Sequence, residues 1–74
     1  MLIERIEHDT KLIIEIWDDE YRPDWNFKEP FGEKFYVDVN DWCVETIGYP
    51  ARTAYNRFEF KQEKDLTLFI LKWK

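Results

Sequence analysis

Fourteen of the 74 residues are aromatic, four of them Trp, and the chain has a single Cys and no Ser. A chain this short buries only about 60–65% of its unfolded surface, so its one thin core needs reinforcement. Cys43 has no partner for an internal disulfide, and no Cys/His cluster suits a structural zinc. The rings must supply that reinforcement, because each can bury roughly 150–250 Å². The length fits one domain spanning residues 1–74.

Period-2 patterning dominates and predicts a mainly β fold, with a β-rich α+β fold as the other possibility. We expect five or six mostly antiparallel strands in a curved sheet or small barrel, with at most one or two short helices. Leu2 to Glu7 and Lys11 to Trp17 read as a hairpin turning at His8-Asp9-Thr10. Leu12, Ile14 and Ile16 share one face of its second strand. Phe35 to Val39 alternates as a strand. Residues 41–47 read in two ways. Asn40-Asp41 can turn the chain into a return strand from Trp42 to Ile47, which the β-branched and aromatic residues favour. Alternatively Asn40 caps a short helix that ends at Gly48.

Pro50 opens a short helix or turn near residues 50–56, followed by a strand from Arg57 to Gln62. Leu66 to Trp73 is apolar on both faces and reads as a central strand, with Leu68 to Leu71 covered on both sides. If one chain cannot cover it, a second copy should, giving a homodimer with this strand or Trp73 at the contact.

Residues 18–34 break all periodicity with two Pro and one Gly, and seventeen residues is long for a loop in a compact domain. Tyr21, Trp25, Phe27 and Phe31 are interleaved there with Asp18, Asp19, Glu20, Asp24 and Glu29. Aromatic anchors ringed by like charge are the composition of a contact surface aimed at a basic partner. These nine residues are the candidate partner-binding set. The same rings could instead fold back to cover the sheet.

Charge is polarised along the chain. Residues 1–49 carry thirteen acids and five bases, a net −8, whereas residues 50–74 carry three acids and six bases, a net +3. The acidic part opposes phosphate contacts, so nucleic acid is not expected as a partner. Arg52, Arg57, Lys61, Lys64, Lys72 and Lys74 lie among rings that could stack bases, but no nucleic-acid motif accompanies them.

Catalytic equipment is sparse. His8 with Asp9 and Cys43 is the sole nucleophilic constellation the composition permits, and neither lies in a motif. Asp18, Asp19, Glu20 and Asp24 could in principle hold a hard cation but lack the EF-hand spacing; they read better as a solvated edge. No enzyme, cofactor or metal is expected. The first residues carry no leader-like apolar run and nothing approaches a membrane span, so a cytoplasmic protein is expected. The expected function is a non-catalytic protein-binding module that occupies a basic site on a larger protein. Inhibitors, immunity proteins and phage-encoded anti-host factors share this small, acidic, aromatic-rich composition, an analogy without a common motif. The alternative is a small-ligand-binding or sequestering protein with an aromatic pocket, which could form between subunits.

Overall fold

The computed structural model describes residues 1–18 and 31–73, with the side chain of Glu7 excepted. It is a small α+β fold with the order β1 (Leu2–His8), β2 (Lys11–Trp17), α1 (Glu33–Ile47), β3 (Arg52–Ala54), β4 (Arg57–Phe60) and α2 (Glu63–Trp73). The four strands form one antiparallel sheet in the order β1-β2-β4-β3. Among the described residues this replaces the expected five or six strands. The expected β1–β2 hairpin is present, with Leu2 opposite Trp17 and His8 opposite Lys11. Its tight turn holds Asp9 at φ 55°, a conformation Asp tolerates better than most residues.

Three segments depart from the expected elements. Residues 35–47, read as two strands with a helix as the alternative for 41–47, form the single helix α1. Tyr36, Val39 and Cys43 are its buried residues, at i, i+3 and i+7, while Val37 on the supposed strand face is 41% exposed. The helix stops where the capping alternative places its end. Gly48 takes φ 90° and returns its N–H to the Cys43 carbonyl. We expect Gly48→Ala to cost about 1 kcal/mol through that left-handed backbone, measurable as a lowered denaturant midpoint.

Residues 66–73, read as a two-sided strand, form most of α2. A continuous apolar run has no period to separate strand from helix. Leu66 and Phe69 are buried, and Ile70 and Trp73 pack beside them, so the core-facing set falls at i, i+3, i+4 and i+7. Leu68 and Leu71 are exposed at 43% and 75%, so the expectation that both are covered is wrong. Trp73 packs within the chain, against Phe35 and Trp42. Residues 50–56, expected as a helix or turn, contain the short strand β3. The expected strand from Arg57 is β4.

The chain repeats one motif, hairpin then helix, and the two hairpins meet through β2 and β4. A single cross-strand row, Arg5–Ile14–Phe58–Arg52, spans the sheet. Ile14 and Phe58 at its centre are fully buried beneath the helices. The arginines at its two ends grip the first residue of a helix. Arg5 in β1 donates two hydrogen bonds to Glu63 of α2, at 2.9 and 3.1 Å. Arg52 in β3 donates two to Glu33 of α1, both at 2.8 Å. Each helix is thus clamped to the edge strand of the other hairpin, with its leading carboxylate at the dipole's positive end.

The helices run antiparallel over this face, and aromatic rings fill the space between them. Phe69 of α2 lies within 5.1–6.3 Å of the rings of Phe58, Phe60, Trp42 and Trp73. Tyr36 is fully buried. Its hydroxyl donates to the Ile16 carbonyl and accepts from the Phe31 N–H, both at 2.8 Å. Desolvation by burial is the main reason its phenol is held above the ordinary range. No helix among the described residues is long and apolar enough to cross a membrane.

Candidate functional site

Of the nine residues singled out as partner-binding, Asp18 and Phe31 are described by the structure. Asp19, Glu20, Tyr21, Asp24, Trp25, Phe27 and Glu29 lie outside the described residues. Asp18 is half-buried at the end of β2, close enough for its charge to oppose ionisation of Tyr36. Phe31 stacks on Phe35 at 4.3 Å, and its carbonyl accepts a hydrogen bond from the Tyr55 hydroxyl at 3.1 Å. Its ring therefore closes the margin of the core, the covering role weighed above for the aromatics of this segment.

The acidic character continues beyond that segment. The solvent face of α1 carries Asp38, Asp41 and Glu45, all exposed, at i, i+3 and i+7, a spacing that aligns them along the helix. Val37 and Val44 are also exposed, at 41% and 45%. Lys34 pairs with Asp38 at 3.0 Å, a contact worth little at this exposure. Glu33, at the start of the helix, is held below the usual carboxylate range by the Arg52 guanidinium. Reading residues 35–47 as strands hid this stripe. The helical signal that reveals it is the buried triplet Tyr36, Val39 and Cys43.

The basic residues of the second half are largely engaged within the chain. Arg52 lies between the rings of Tyr36 and Tyr55, at 5.7 and 5.6 Å, as well as gripping Glu33. Arg57 reaches Glu15 across the β2–β4 pair at 2.9 Å. Lys72 sits over the Trp73 ring. Lys61 and Lys64 line an open groove of about 620 Å³ between the end of α1 and the start of α2. Thr46, Ile47, Tyr49, Gln62, Asp65 and Leu68 complete its walls, and Lys61 lies 4.7 Å from the Tyr49 ring centre. The Tyr49 hydroxyl donates to Asp65 and accepts from the Lys61 backbone N–H.

The Cys43–His8 pair is not assembled. Cys43 is fully buried on the core face of α1, where desolvation pushes its thiol up to about 12. His8 is exposed at the hairpin end. Among the described residues no group of three or more His, Cys, Asp or Glu could hold a metal ion. No family model, no curated protein and no solved structure matches the chain.

Proposed function

We propose that the protein is a non-catalytic binding module of the inhibitor or immunity type that presents an acidic surface to a basic site on a larger cytoplasmic protein. The observation that carries this reading is the solvent face of α1. Asp38, Asp41 and Glu45 run along it with the exposed Val37 and Val44 on one flank, and it follows directly on the acidic–aromatic segment 18–31. Such a surface offers long-range attraction and a small apolar footing once contact is made. Tyr21, Trp25 and Phe27 of the preceding segment would supply the aromatic anchors, with Asp19, Glu20, Asp24 and Glu29 around them.

A second reading, small-ligand binding, rests on the groove between α1 and α2, whose volume is in the range of small-molecule sites. Its lining has one ring, Tyr49, so it departs from an aromatic pocket, and with Lys61, Lys64 and Asp65 together it would suit a small polar molecule. Two measurements separate the readings. The partner captured from host-cell extract at low salt should be lost by roughly 0.5 M salt, where the Debye length falls to about 4 Å. The triple variant Asp38→Lys, Asp41→Lys, Glu45→Lys should fold normally yet bind that partner at least tenfold more weakly. Capture that survives both the salt and the reversal would reject the acidic-surface reading.

A further inference from the structure

The outward faces of the two helices carry opposite charge. On α1 the residues turned away from the buried Tyr36, Val39 and Cys43 are Asp38, Asp41 and Glu45. On α2 those turned away from the buried Leu66 and Phe69 are Lys64, Leu68 and Leu71, with Lys72 beside them. Asp41, Glu45 and Lys64 have no ion-pair partner among the described residues. Leu71, beside these lysines, is three-quarters exposed.

Internal contacts fix how the antiparallel helices lie alongside each other. Phe35 meets Trp73 at 6.1 Å and Trp42 meets Phe69 at 5.9 Å, while Ile47 and Asp65 share the groove. Asp38 is therefore level with Lys72, and Glu45 is within about one turn of Lys64. Leu71 falls between Val37 and Val44 in height. Trp42 marks the flank of α1 that meets α2, so the two valines lie on its outer flank. Leu71 points away from Phe69, onto the outer flank of α2.

We propose that these faces bind each other in a symmetric dimer, the helix layer of one copy lying on that of a second. A two-fold axis parallel to the helices keeps every residue at its own height and sets α1 of each copy across α2 of the other. Asp38 and Glu45 then face Lys72 and Lys64, and the contact is made twice. The outer flanks come together, so Leu71 of one copy packs beside Val37 and Val44 of the other. A two-fold axis across the helices would instead set α1 on α1, acid against acid. A basic protein covers α1 alone, whereas a second copy meets both faces at once. The acids of α1 are also the surface proposed above for a larger protein, so the dimer is the form that protein would have to displace.

Sedimentation equilibrium of the full chain should give twice the mass of one copy at high micromolar concentration and a single copy at low micromolar concentration. The variant Asp38→Lys, Asp41→Lys, Glu45→Lys makes both helix faces basic, and Lys64→Glu, Lys72→Glu makes both acidic. Each should sediment as a monomer alone, and a one-to-one mixture should restore the dimer. Lys64→Glu, Lys72→Glu retains the acids of α1, so its capture of a larger protein reports on the function proposed above separately from the dimer. Should either variant fail to fold, Leu71→Ala should still weaken the dimer at least about tenfold, since the leucine is buried twice. A chain that stays monomeric to millimolar concentration would overturn the proposal. So would folded variants that dimerise alone, a mixture of them that stays monomeric, assemblies larger than two copies, or a Leu71→Ala dimer of unchanged strength.

Discussion

Phe69→Ala should remove most of the stability of this protein, giving either no cooperative thermal transition or one lowered by roughly 15–30 °C. Phe69 is fully buried and is in ring contact with both central-sheet phenylalanines and with Trp42 and Trp73. Truncating a buried Phe to Ala costs about 3–5 kcal/mol through lost burial and the cavity left behind. Native stability is roughly 0.05–0.15 kcal/mol per residue, so that loss rivals the whole stability of a 74-residue chain. The site cannot easily collapse, because the four surrounding rings belong to β4, α1 and α2 and hold one another. Leu71→Ala, two residues on, should change stability by less than about 0.5 kcal/mol, since Leu71 is 75% exposed. Chemical denaturation of the pair decides the point. A large loss at Leu71 with little at Phe69 would mean that residues 66–73 are not the helix described here.

The same pair of residues explains what could be read from the sequence. The β1–β2 hairpin was legible because Leu12, Ile14 and Ile16 recur at every second position and a turn sequence precedes them. β4 was legible for the same reason, with Phe58 and Phe60 inward and Arg57 and Glu59 outward. The helices were not. In α2 nearly every position from Leu66 to Trp73 is apolar, so periods of 2 and 3.6 fit equally well. In α1, Phe35, Val37 and Val39 mimic a strand, and only the longer spacing through Tyr36, Val39 and Cys43 distinguishes the helix. Tertiary packing against Phe58 and Phe69 then decides what local propensity leaves open. The acidic–aromatic segment was visible as composition, whereas the acidic face of α1 becomes visible only once the helix is recognised. The two Arg–Glu clamps had no sequence signal, since each joins residues far apart in the chain.

Alkaline pH should destabilise the protein through Cys43. Its thiol, ordinarily near 9.0, is pushed up to about 12 by burial, whereas in the unfolded chain it ionises at its ordinary value. Between those limits the folded state holds a proton that the unfolded state has released, so stability falls as pH rises. The stabilising contribution is fully present below about pH 9 and is lost as pH climbs toward about 12, at up to about 1.4 kcal/mol per pH unit. By pH 11 the loss assigned to Cys43 is about 2.5 kcal/mol. The phenols of Tyr36 and Tyr49 are also raised by burial, so they add to the decline in the same direction. Cys43→Ala separates the contributions. It should cost about 1 kcal/mol at pH 7, where a small apolar filler is lost, and should then show a shallower alkaline decline than the wild type. The two stability curves should converge near pH 10 and cross above it. Urea denaturation at intervals from pH 7 to pH 11 measures both. Parallel curves over that range would show that the Cys43 thiol ionises as readily in the fold as outside it, and the packing of α1 against the sheet would have to be looser than described.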